Sequence, residues 1–178
     1  MRERRAARES RRAREFEAFV AGAGGRLLHA ATLLTGERTG ERTGDRSGGT
    51  EAETDAESGT AVGTAAAQEL LTAALARTYA RWDRLRGEDP YDRTRQELAA
   101  LFAHRARRYR RPRGGVLDRL TPRERLVLVL RLYEGVAEEQ TAATLGLPVE
   151  RVRAICTRAV TLMRTPAPLP GPAAGVAR

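Results

Sequence analysis

The stretch that most constrains this 178-residue chain is Thr121-Pro122-Arg123-Glu124, followed by the apolar run Leu126-Val127-Leu128-Val129-Leu130. A Thr side chain at the N-cap and a Glu three residues on can satisfy each other's free backbone N–H groups, and Pro suits the first helical position. A helix is therefore predicted to start here. Its body is apolar on almost every side, as expected of the central, buried helix of a small bundle. A second helix is predicted over 137–145, stopped by Gly146 as a left-handed cap. Leu147-Pro148 makes a tight turn, and a third helix is predicted over 149–164. Periodicity elsewhere is also helical, so the fold class expected is all-α.

Two short helices joined through Leu145-Gly146-Leu147-Pro148 form a helix-turn-helix pattern. At about 100° per residue, Val149, Val152, Cys156, Ala159 and Met163 share one face of the second helix, which must pack inward. The opposite face carries Glu150, Arg151, Ala154, Thr157, Arg158 and Thr161. Arg can bond guanine bidentately, Thr can reach a base edge or a phosphate, and Ala can touch a thymine methyl, so this face is the candidate DNA reader. A solvated helix face is the competing reading. Ile155 and Leu162 form a narrower apolar stripe that is read as a protein contact.

The remainder divides as follows. Residues 1–14 form an Arg-rich arm with seven Arg against Glu3 and Glu9. It is read either as a solvated arm or as a source of non-specific nucleic-acid affinity. Residues 15–111 make a first helical module, whose opening helix is expected to be interrupted at Ala21–Gly25. Within it, 36–64 starts with Gly-Glu-Arg-Thr twice and Gly-Asp-Arg-Ser once, then turns acidic. Val62 is its one large apolar side chain, so the span is expected to be a disordered insertion. Leu70, Leu71, Ala74, Leu75, Thr78, Tyr79 and Trp82 recur at helical spacing after it. A further helix over 91–109 ends in an Arg cluster with Tyr109 interleaved, a phosphate-tracking surface with one possible stacking residue. Residues 112–116 read as a linker, 117–165 as the second module, and 166–178, with four Pro, as a disordered tail.

Charge and composition narrow the function. The formal net charge is +9, the sequence pI is near 11.1, and all 32 basic residues are Arg. Such a chain favours a polyanionic partner, nucleic acid before a membrane surface. Cys156 is the single cysteine, and the two histidines, His29 and His104, are far apart. No disulfide framework, metal site or cofactor is therefore expected. No Ser/His/Asp or paired-carboxylate arrangement can be placed on ordered structure, so no catalytic residue is assigned and an enzyme is not expected. Nor is a small-molecule substrate. The apolar runs are too short for a membrane span or a secretion signal, so the expected location is cytoplasmic, with the nucleoid.

These segments together resemble extracytoplasmic-function sigma factors of the sigma-70 family, particularly a short actinobacterial group. Residues 67–82, Ala-Gln-Glu-Leu-Leu-Thr-Ala-Ala-Leu-Ala-Arg-Thr-Tyr-Ala-Arg-Trp, are similar to the core-polymerase-binding helix of region 2. Phe16-x-x-Phe19-Val20 and Arg26-Leu27-Leu28 resemble that group's first helix, and 117–159 resembles region 4. The resemblance implies that Leu70, Leu71, Ala74, Leu75 and Thr78 dock on the polymerase clamp. It implies that Glu150, Arg151, Arg153, Ala154, Thr157 and Arg158 face the −35 promoter element. Arg105, Arg107, Arg108 and Tyr109 would lie near the −10 element. The implied partners are core RNA polymerase and double-stranded promoter DNA, with an anti-sigma factor as a further candidate. Four features depart from the family pattern: the insertion, Gln68-Glu69 in place of an acidic pair, Thr72 where a Gln is common, and a segment over 91–108 without the Asn and tryptophans used in strand opening.

Two alternatives accompany this expectation. One is a stand-alone helix-turn-helix regulator with a degenerate region 2, favoured by the altered strand-opening segment and opposed by the leucine-rich helix. The other is a protein that binds polymerase or a partner factor without reading DNA.

Overall fold

A computed structural model of the protein describes residues 2–38, 56–85 and 87–165, with side chains of the second helix described from residue 65. Among the described residues six α-helices follow in order: α1 (Arg2–Thr35), α2 (Ala56–Ala80), α3 (Pro90–His104), α4 (Pro122–Leu128), α5 (Glu138–Leu145) and α6 (Val149–Arg164). Single 3-10 turns cover Trp82–Arg84 and Ala106–Tyr109, and α4 runs on into a π-helical turn at Val129–Tyr133. Among the described residues there is no strand, only isolated bridges from Glu37 to Arg113 and Gly114. The all-α class holds.

Local signals in the sequence start and stop the helices of the second half. Thr121 caps α4 in a complete capping box with Glu124, with Pro122 at the first helical position. Gly146 closes α5 at φ 62°, and Leu147 N–H donates to the Ala142 carbonyl at 3.0 Å. Asp89 caps α3 by accepting from Tyr91 N–H at 2.9 Å.

Helix α1 departs from expectation because it runs unbroken through Gly22, Gly24 and Gly25. Glycine lowers helix stability by about 1 kcal/mol per residue relative to Ala, so packing on either side must hold the helix across this stretch. On one side Phe16 meets Tyr79 and Trp82, with ring centroids 4.8 and 5.1 Å apart. On the other, Leu27, Ala30, Ala31 and Leu34 enter the core.

The two expected modules share one core. Leu27 and Leu34 of α1, Leu70 of α2, Phe102 of α3, Leu126 of α4 and Ala159 of α6 belong to a single buried cluster. A smaller cluster of Val127, Ala142, Val152 and Ile155 holds the helix-turn-helix together. Ile155, read as part of an outward stripe, is thus an interior residue, and Leu162 packs against the larger core. A side chain on a short helix belongs to whichever neighbour covers it, and here α4 covers Ile155.

Polar groups bolt the modules together as well. Arg125 is 1% exposed and donates to the backbone carbonyls of Leu34, at 3.1 Å, and Tyr109. Tyr91 Oη donates to the Glu134 carboxylate at 2.9 Å, with Arg26 at 3.7 Å from the same group. Burial and the adjacent carboxylate raise the Tyr91 pKa, so the phenol stays a donor.

Residues 36–38 also differ from the expectation of disorder. Glu37 is buried, accepts from Ala67 N–H at 3.1 Å, and bridges to Arg113 and Gly114. Helix α2 is described from Ala56, so its first turns fall within the expected insertion too. The rest of that insertion, 39–55, and the expected Pro-rich tail, 166–178, lie outside the described residues.

Candidate nucleic-acid interface

Helix α6 presents two chemically distinct faces. Val152, Ile155 and Ala159 are buried, whereas Glu150, Arg151, Arg153, Ala154, Thr157 and Arg158 are all exposed on the outer side. Two of those guanidinium groups already have partners. Arg153 pairs with Glu138 of α5 at 2.9 Å, and Arg158 with Glu124 at 3.2 Å. Both Arg side chains are more than half exposed, so each pair contributes on the order of 0.2–1 kcal/mol and is screened by salt. Either guanidinium can therefore exchange its carboxylate for a phosphate or base edge. Arg151, Ala154 and Arg158, with Thr121, Arg123 and Glu124, line a cleft of about 280 Å³ between α6 and the start of α4.

A second groove, about 660 Å³, shares Thr121 and Arg123 with that cleft and is lined further by Arg107, Arg110 and Arg119. The basic surface of α6 is thereby continued to the Arg cluster that follows α3. Arg119 and Arg123 escaped the sequence reading. The available signal was their place at the capping box, Arg119 two residues before it and Arg123 within it, which fixes the direction in which the chain enters α4.

The residues expected near a −10 element are not brought together as a stacking surface. Arg107 and Arg108 are exposed, and Arg105 pairs with Glu69 of α2 at 3.2 Å. Tyr109 is 4% exposed, stacks on Phe102 with centroids 5.2 Å apart, and lies under the Arg113 guanidinium. It cannot receive an unstacked base in this arrangement. The Ala106–Tyr109 turn rotates its ring inward, where burial raises the phenol pKa.

A larger correction concerns α2. Leu70, Ala74 and Thr78 are fully buried, and Leu71 is only 8% exposed. Thr78 is further held by a hydrogen bond from Thr94 Oγ1 at 3.1 Å. Leu75 is half-buried. The apolar stripe read as a docking face thus packs against α1 and α3, because an amphipathic helix between two neighbours gives its apolar side to them. The exposed side of α2 carries Gln68, Glu69, Thr72, Ala76 and Arg77.

Among the described residues, no group of three or more His, Cys, Asp or Glu side chains could hold a metal ion. Cys156 is half-buried, and burial pushes its thiol pKa up, away from nucleophilic reactivity. No helix among the described residues is long and apolar enough to cross a membrane.

Comparison with known proteins matches this geometry. The family model for sigma-70, region 4, covers residues 116–165, the segment that contains α4, α5 and α6. The RNA polymerase sigma-E factor of Streptomyces coelicolor is 32% identical over 123 residues, which take in 55% of this chain and 70% of that protein. This chain belongs to the sigma-70 family of RNA polymerase sigma factors. The sigma-E factors of Streptomyces avermitilis and Streptomyces antibioticus are similar to the same degree, with 69% and 68% of their lengths covered. No solved structure matches.

Family membership makes core RNA polymerase and promoter DNA the partners of this sigma factor. It does not favour the reading as a stand-alone regulator, since the likeness covers more than region 4.

Proposed function

We propose that this sigma factor reads the −35 promoter element with the outer face of α6, through Arg151, Ala154, Thr157 and Arg158, with Glu150 and Arg153 at its margins. The observation that carries this reading is the coincidence of the region 4 match with a capped helix whose exposed side is rich in Arg and Thr. The groove lined by Arg107, Arg110, Arg119 and Arg123 extends the same positive surface, and Arg105 and Arg108 lie beside it in sequence, toward the DNA downstream.

Polymerase contact through α2 has to use the face the bundle leaves open: Gln68, Glu69, Thr72, Ala76 and Arg77. An antagonist competing with polymerase would have to cover the same face, and an anti-sigma factor is the class of protein suited to it. Such a protein works in the cytoplasm, on the nucleoid.

Gel filtration of the purified protein with core polymerase at moderate salt tests the docking reading. Ala76→Glu, on the open face, is expected to abolish one-to-one co-elution while leaving thermal unfolding unchanged. Undiminished co-elution would remove α2 from the contact. Footprinting tests the other half: Arg151→Ala is expected to weaken promoter binding by about 1–3 kcal/mol without changing co-elution.

A further inference from the structure

The first three turns of α1 have no role in the fold. Residues 2–11 are all exposed, so this part of the helix extends past the bundle and gains nothing from packing. Its composition also runs against helix electrostatics. Seven Arg stand against Glu3 and Glu9 in residues 2–14, at the end of a helix where the macrodipole disfavours positive charge.

The charges are not scattered. At about 100° per residue, Arg4, Arg5, Arg8, Arg11 and Arg12 fall within an arc of about 120°, on the side of α1 that further along carries Phe16 and Phe19. Arg12 fixes the stripe's orientation. It donates to the Tyr79 carbonyl, lies over the Tyr79 ring at 4.2 Å, and sits 3.5 Å from Asp83. Beyond it, Arg5, Arg8, Glu9, Arg12 and Asp83 surround an open cleft of about 340 Å³. Glu15 engages Arg11 at 3.8 Å on the exposed surface, a weak and screened pair.

From these observations we infer that the stripe on the first turns of α1 is a binding surface for the phosphate backbone of duplex DNA, separate from α6 and blind to sequence. The stripe from Arg4 to Arg12 is about 12 Å long, and duplex DNA carries one charge per about 1.7 Å of axis, so several phosphates lie within its reach. Guanidinium groups on a rigid, oriented helix suit phosphate oxygens, and nothing along the stripe offers an apolar surface to a protein.

The test measures equilibrium binding of the full chain to a promoter duplex and to a random-sequence duplex across a salt series. Compared with the parent, a variant carrying Arg4→Gln, Arg5→Gln, Arg8→Gln and Arg11→Gln should lose about three to four from the slope of log K against log salt. Its affinity should fall about tenfold or more, by the same factor on both duplexes. The matching Lys variant should retain the slope, and circular dichroism should show both variants helical, since Gln and Lys are good helix formers. An unchanged slope in the Gln variant overturns the inference. So does a loss confined to the promoter duplex, or unchanged DNA binding with lost polymerase co-elution, which would make the stripe a protein contact. Arg151→Ala should instead change the promoter-to-random ratio, so the failure of one reading is distinguishable from the failure of the other.

Discussion

The guanidinium of Arg125, at the start of the second module, donates to the carbonyl of Leu34 at the end of the first module's opening helix, 3.1 Å away. One residue thereby satisfies a helix-terminal carbonyl that lacks an intrahelical partner and, through a second bond to the Tyr109 carbonyl, ties down the turn after α3. Burial lowers the Arg125 pKa, and the Asp118 carboxylate opposes that shift. Replacing Arg125 with Met should therefore destabilise the protein by about 3 kcal/mol, because the Leu34 and Tyr109 carbonyls both lose their donor away from water. Urea unfolding should show a lower midpoint at unchanged m. Arg125→Lys, which keeps the charge but not the fork, should recover only part of the loss.

Gly36 stands against the same side chain. Its φ is +74°, and a Cβ placed on it would come within 2.7 Å of Asp118 Oδ1 and clash with Arg125. Gly36→Ala is expected to cost more than about 2 kcal/mol by strain and collision together. Thermal unfolding checks this, and an effect within a few tenths of a kcal/mol would show that the α1 terminus is not held against α4.

The glycines inside α1 should behave in the opposite way. A Cβ at Gly22 or Gly25 meets nothing within 4 Å, and both backbones are helical. Gly22→Ala and Gly25→Ala are each expected to stabilise the protein by about 0.5–1 kcal/mol, chiefly by narrowing the unfolded ensemble. A rise in the urea midpoint is the readout.

Glu37 predicts a pH dependence. Burial raises its pKa above the ordinary value of 4.5, although the hydrogen bond from Ala67 N–H pulls the other way. Between those two values the folded state binds more protons than the unfolded chain, so this group's contribution to stability falls as pH rises through that window. The penalty persists above it. Glu37→Gln keeps an acceptor for Ala67 N–H and removes the titration. The stability difference between variant and parent should grow in the variant's favour from pH 4 to 7, measured by urea unfolding at each pH.

Much of the second half was legible because its signals are local. A capping box needs only Thr121 and Glu124, and a left-handed stop needs only Gly146, so α4 begins, and α5 and α6 begin and end, within a residue or two of expectation. The faces of α2 were not legible. Periodicity identified one apolar stripe, but whether Leu70 and Leu71 meet a partner protein or α1 and α3 depends on helices far away in sequence. Tyr109 was misread for the same reason: its ring direction is set by a single 3-10 turn and by Phe102 beneath it. Glu37 looked like one unit of a polar repeat, and its burial depends on Ala67 and Arg113 lying beside it.

By itself, then, the sequence determined the all-α class, the helix-turn-helix and its polar outer face, and the basic character that demands a polyanionic partner. These follow from residues within a turn or two of one another and from net charge. The tertiary structure alone decided that the two modules share a core, that Arg125 joins them, and which side of α2 remains open. Burial is a property of pairs of surfaces, and the second surface of each pair lies elsewhere in the chain.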